Sequence, residues 1–151
     1  MLTVKISGTG AYLPARVVTN EEMSVRIGST SEWIYSHTGI ESRHVAAEEE
    51  SAATMGAEAA RQALESAHAN PGEIGMIALA TTTPDYGNYP STACLVQKEL
   101  GCIPAAAFDL SAACSGFVYG LEMVKSSVAS STSGGHCPIR TWSDTYSPWP
   151  A

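Results

Sequence analysis

Four cysteines could carry chemistry in this chain: Cys94, Cys102, Cys114 and Cys137. None forms a C-x-x-C pair, and no histidine stands at a zinc-ligand spacing from them, so no metal site is expected. Cys114 differs from the others in its surroundings. It lies in Phe108-Asp109-Leu110-Ser111-Ala112-Ala113-Cys114-Ser115-Gly116-Phe117, where an apolar strand-like run leads into the cysteine and a helical stretch begins. The N–H groups and the positive dipole end of a helix start favour an anion. A cysteine placed there is expected to hold more thiolate and to act as a nucleophile. Its small neighbours would let a long substrate approach, and Gly116 and Gly120 would let the helix pack closely. The competing reading is a packed structural cysteine, which is also the reading for Cys94 and Cys102.

The elements that must position Cys114 follow from periodicity. Residues 50–69 carry an Ala-rich apolar face at helical spacing, and Asn70-Pro71-Gly72 stops it. Residues 74–82 form a near-continuous apolar run, as in a strand buried on both faces. Residues 84–90 read as a loop, 91–100 as a second helix ended by Gly101, 105–110 as another buried strand, and 111–128 as a long helical stretch. Upstream, residues 4–12 alternate and read as a strand, and Thr19-Asn20-Glu21-Glu22 reads as a capped helix start. The stretch 31–40 contains Trp33, Ile34 and Tyr35 and a turn at Gly39, and pattern alone assigns it no element. Strands alternating with helices imply β-α-β units, hence an α/β fold with a mixed, mainly parallel sheet and helices on both faces. A further strand should follow residue 128, but no convincing one is legible. Composition shifts near residue 130 to Ser/Gly and then to proline-containing sequence.

The balance of 8 Lys and Arg against 15 Asp and Glu, a net charge of -7, argues against nucleic acid and against a polybasic membrane contact. No apolar run is long enough for a transmembrane helix. The first residues read directly into a strand-like pattern rather than a signal peptide, so a cytoplasmic protein is expected. In that compartment disulfides are not expected.

The string Ala112-Ala113-Cys114-Ser115-Gly116-Phe117 after Asp109 resembles the nucleophile motif of the 3-oxoacyl-[acyl-carrier-protein] synthase III family. Other stretches agree in order and spacing: Ile6-Ser7-Gly8-Thr9-Gly10-Ala11-Tyr12-Leu13-Pro14, Glu32-Trp33-Ile34, Thr38-Gly39-Ile40, Arg43-His44, Ala80-Thr81-Thr82-Thr83 and Pro90-Ser91-Thr92-Ala93-Cys94. The resemblance covers roughly residues 1–128. It implies the N-terminal half of a thiolase-like fold over residues 1–129, with an aberrant, disordered tail over 130–151. It also implies an acyltransferase. Cys114 would accept acetyl from acetyl-CoA as a thioester, and the acyl-enzyme would condense with malonyl-acyl carrier protein to begin fatty acid synthesis. The cofactor implied is none beyond the coenzyme A thioester substrate, and the assembly implied is a homodimer.

The same resemblance assigns substrate-binding roles. Trp33 would stack on the adenine of coenzyme A, against the alternative of a core or interface tryptophan. His37 stands where the family usually has an arginine, which grips phosphate as a rigid fork in a way neutral histidine does not. Tyr89 would reach across the dimer into the partner's acyl pocket, against the alternative of loop packing. In the family a histidine and an asparagine from the second half complete the site, and neither can be mapped onto this chain. His136 lies in the aberrant tail and is not nominated. Ser143-Asp144-Thr145-Tyr146-Ser147 again resembles family sequence, which suggests a reading frame that slipped near Ser130 and partly recovered. Two alternatives stay open: an inert truncated fragment, and a related acyl-CoA condensing enzyme of polyketide, quinolone or hydroxymethylglutaryl-CoA synthesis.

Overall fold

In the computed structural model, which describes residues 4–130 and 139–143, these residues divide into two compact units, one spanning Leu13–Glu50 and the other built from residues 4–12 and the described residues from Ser51 onward.

The first unit is a β-α-α-β element: β1 (Arg16–Thr19), α1 (Asn20–Ile27), α2 (Ser31–Thr38) and β2 (Ser42–Val45). Both helices start on hydroxyl caps. Thr19 accepts the N–H of Glu22 and Thr30 that of Trp33, each satisfying a donor the first turn leaves open. Both end on glycines in the left-handed region, Gly28 at φ 65° and Gly39 at φ 68°, where a side chain would be strained. The stretch that pattern alone left unassigned is thus α2. β1 and β2 pair antiparallel, with Val18 opposite Arg43. Val18 and Ile34 form the dry part of this unit. Asn20 is buried and bonded at both ends of its amide: the nitrogen donates to Ile40 O at 2.7 Å, and Oδ1 accepts from Arg43 at 2.6 Å. Arg43 also donates to Val18 O. It therefore serves the fold of this unit by fixing β2 to the start of α1.

The second unit carries α3 (Ala52–Ser66), β3 (Met76–Ala80), α4 (Thr92–Leu100), β4 (Ala106–Leu110), a short 3-10 turn (Ala113–Ser115), α5 (Gly116–Ser130) and β5 (Ile139–Ser143). The sheet order is β4-β3-β5, with both neighbours parallel to β3. Consecutive parallel strands need a crossover, and α4 supplies it between β3 and β4. Ile74, Ile77, Leu79, Ala93, Val96, Cys102 and Ala105 make the core between strands and helices. Fully burying a side chain of the Ile or Leu kind contributes about 1.5–3 kcal/mol. The exposed ion pairs of Arg61 with Glu58 and Glu99 contribute under about 1 kcal/mol each, so the core and not the surface charge holds this unit.

Two expectations are corrected. Residues 4–12 are not a strand: they form no ladder, and Val4 and Ile6 are exposed. The alternation is present, but a strand exists only with a partner. This segment instead runs along α3, where Ala11 N–H reaches Gln62 Oε1. A Cβ at Gly8 would meet Ala67 N at 2.8 Å, and one at Gly10 would meet Ala63 N at 2.7 Å, so both glycines are required by that approach. Conversely, a strand does occur after residue 130. β5 pairs with β3 along its whole length, Met76 opposite Ile139 through Ala80 opposite Ser143. Pro138 lies before its first residue and removes no ladder donor from it. The rest of the expected tail, including Cys137 and His136, lies outside the described residues.

Candidate active site

Cys114 sits in the 3-10 turn Ala113–Ser115, between the carboxyl end of β4 and the start of α5, and is exposed. The turn is tight because its geometry is unusual. Ala113 takes φ 44°, a left-handed conformation that non-glycine residues rarely adopt, and the Ser115 N–H closes on Ala112 O at 3.0 Å. α5 begins at Gly116, directly after the turn, so its first N–H groups follow the sulfur-bearing residue in sequence. The strand-to-helix placement expected from the sequence is therefore present. Non-glycine residues in that region store strain and cluster at functional sites.

Three contacts fix the base of the turn. Gly116 lies against β3: a Cβ built on it would be 3.0 Å from the Cβ of Ala80. The Thr81 N–H donates to Leu110 O at 3.2 Å, continuing the β3–β4 ladder to its end. Asp109 accepts the N–H of Thr92 and of Ala93, one on each carboxylate oxygen, both at 2.7 Å. Short charge-assisted bonds at a helix start are the stronger kind, and the helix dipole adds to them. A second aspartate repeats the arrangement. Asp85 accepts the N–H of Ala52 at 2.8 Å and of Ala53 at 3.0 Å, capping α3, while its own N–H donates to the hydroxyl of Thr92. Thr92 is completely buried and joins the two carboxylate caps. The sequence reading missed Asp85 and Thr92. Their partners are distant in sequence, so no local pattern signals them.

In the other unit, Trp33 and His37 lie one helical turn apart on α2 and stack, with ring centroids 4.3 Å apart and planes at 23°. His37 Nδ1 lies 2.9 Å from Trp33 O. The Ser36 hydroxyl lies 3.1 Å from the same nitrogen, so Nδ1 is engaged within the helix by its own turn. Trp33 is about half exposed, at 51%. Its indole is not a core residue: His37 packs against it, and the ring still presents area to solvent. Tyr89 is 85% exposed in the loop before α4, so it is not packed as a loop filler. The structure thus brings Trp33 and His37 together on α2, and Tyr89 and Cys114 both belong to the other unit.

Among the described residues, no group of three or more His, Cys, Asp or Glu is arranged to hold a metal ion, and no helix is long and apolar enough to cross a membrane. α5 buries only Gly116, Gly120 and Val124, one stripe at helical spacing, and leaves Phe117, Val118, Tyr119, Leu121 and Met123 exposed. A shallow depression next to this face is lined by Met76, Phe108, Glu122 and Met123.

No protein-family model matches the chain. Individual relatives do. The chain is 50% identical over 119 residues to the beta-ketoacyl-[acyl-carrier-protein] synthase III of Methylococcus capsulatus, a match covering 79% of this chain and 37% of that one. Its structure is similar to the crystal structure of 3-oxoacyl-[acyl-carrier-protein] synthase III from Aquifex aeolicus, with a TM-score of 0.77 and 46% identity over 83% of this chain and 40% of that one. It is also similar to the priming beta-ketosynthase of the R1128 polyketide biosynthetic pathway, with a TM-score of 0.77 and 35% identity over 92% of this chain and 41% of that one. The chain spans about two-fifths of the length of these relatives.

Proposed function

We propose that this chain, a thiolase-like homologue of the beta-ketoacyl-[acyl-carrier-protein] synthases III over about two-fifths of their length, is the nucleophile-bearing N-terminal half of a condensing acyltransferase of fatty acid synthesis. The observation that carries this reading is Cys114, exposed on a strained turn between the half-buried strand β4 and the start of α5. The Cys114 thiolate attacks the acetyl carbonyl of acetyl-CoA. The carbon–sulfur bond to coenzyme A breaks, coenzyme A leaves as its thiolate, and the acetyl group rests on the cysteine. Malonyl-acyl carrier protein then loses carbon dioxide. Its carbanion attacks the acetyl carbonyl, and the Cys114 thiolate leaves as acetoacetyl-acyl carrier protein forms. Dividing the reaction through a covalent intermediate replaces one hard step by two easier ones. The Cys114 N–H supplies one donor to the oxyanion of each tetrahedral state. Trp33, with the face that His37 does not cover, stacks on the adenine, and Tyr89 serves the acyl pocket of a second copy in a homodimer. The reading uses no cofactor beyond the thioester substrates and sets the protein in the cytoplasm.

A second reading is favoured by two observations: the apolar side of α5 is exposed, and the matched relatives are more than twice as long. On that reading the chain is an inert fragment. The two are separated by adding malonyl-acyl carrier protein to the chain after incubation with acetyl-CoA. Acetoacetyl product supports the full reaction, acetylation without condensation supports a half-site, and neither supports the inert fragment. The likeness to a polyketide priming synthase keeps a polyketide-type acyl acceptor as the alternative substrate class.

A further inference from the structure

We infer that Asp109 is a positioning residue for Cys114. The inference rests on Cys114 being the nucleophile, but it is argued from this chain's own contacts. Asp109 is the penultimate residue of β4, and four residues separate it from Cys114 along a backbone with no regular ladder after Leu110. A short connection of that kind takes its course from its two anchors. The downstream anchor is Gly116 against Ala80. The upstream anchor is the Asp109 carboxylate, whose two oxygens each take a first-turn N–H of α4 at 2.7 Å. A two-point fork fixes rotation as well as distance, which a single hydrogen bond does not. The far side of the fork is itself held, because the Thr92 hydroxyl receives the N–H of Asp85 and Asp85 caps α3. The end of β4 is thereby tied to the starts of two helices, and the strained Ala113 conformation persists because both ends of the turn are determined. Loosening Asp109 frees the end of β4 and lets the turn relax toward ordinary backbone angles, which moves Cys114 from the position the turn now gives it.

The test is the alkylation rate of each cysteine by iodoacetamide at neutral pH in the full chain, resolved by peptide mass. The variants are Asp109→Ala and Asp109→Asn. No acyl-CoA enters this measurement, so it is independent of whether the chain turns over. Cys102 is completely buried and reports general opening. Asp109→Ala is expected to lower the Cys114 rate at least fivefold with Cys102 still protected. Asp109→Asn, which keeps one accepting oxygen, is expected to fall between it and the parent chain. A Cys114 rate unchanged in both variants with Cys102 protected overturns the inference. Where Asp109→Ala exposes Cys102, the Asn variant decides by the same criteria. Exposure of Cys102 in both variants also overturns it, by making Asp109 a residue that holds the fold and nothing more.

Discussion

Gly116 and Ala80 meet so closely that a Cβ on the first would lie 3.0 Å from the Cβ of the second. Helix α5, which follows the cysteine turn, is seated on strand β3 through a contact that glycine alone leaves unstrained. Replacing Gly116 by Ala introduces overpacking of about 1–3 kcal/mol. It recovers about 0.4–1 kcal/mol by restricting the unfolded chain. A net loss of about 1 kcal/mol is expected, with a larger loss for Gly116→Val. Urea unfolding midpoints check this, and a stabilised Gly116→Ala variant would contradict the seating described.

Ala113 holds a left-handed backbone conformation beside Cys114. A residue with a Cβ pays about 1–2 kcal/mol for it. Ala113→Gly removes that strain and is expected to be neutral or to gain up to about 1 kcal/mol. Ala113→Val adds a branched side chain where it fits worst and is expected to lose about 1 kcal/mol or more. The difference between the two variants in thermal or urea unfolding is the diagnostic quantity. Equal stabilities would mean the turn takes ordinary angles.

Much of this architecture is legible from local chemistry. Thr19, Ser51 and Ser91 cap helices, Gly39 and Gly101 close them, and the apolar runs before Thr81 and Ser111 become the paired strands β3 and β4. What local pattern misreads are features decided by partners. Residues 4–12 have strand alternation but no ladder, because Gly8 and Gly10 commit the segment to the surface of α3. Ile139–Ser143 looks weak by composition, yet it pairs with β3, whose free edge accepts it. Cys114 is legible because strand, small residues and helix are contiguous. The forks that brace it are not, since Asp109 reaches back 17 residues to Thr92 and Asp85 reaches back 33 to Ala52.

Within the Leu13–Glu50 unit, Glu21 is held below the ordinary carboxyl range by a hydrogen bond from its own backbone, then by the hydroxyls of Ser31 and Thr19. The folded value is depressed relative to the unfolded one. The stability it lends is therefore present above the unfolded value and is lost as pH falls through the folded value. The Ser31 hydroxyl donates to Glu21 Oε1 at 2.9 Å and so links α2 to α1. Ser31→Ala is expected to raise the Glu21 titration toward the ordinary range, as followed by carboxyl carbon chemical shift. An unmoved titration would break that link.

If Trp33 stacks on the adenine of coenzyme A, its ring supplies interaction of about 1–3 kcal/mol. Trp33→Ala is then expected to weaken acetyl-CoA binding about tenfold by calorimetry while leaving iodoacetamide alkylation of Cys114 unchanged. Equal binding by both proteins would remove Trp33 from the site.

The most direct measurement of the central claim is the intact mass of the purified chain after incubation with acetyl-CoA, beside a Cys114→Ala control. The account expects a single acetyl increment in the parent chain and none in the control. No increment in either, or an increment that survives in Cys114→Ala, would contradict the assignment of Cys114 as the acyl-accepting nucleophile.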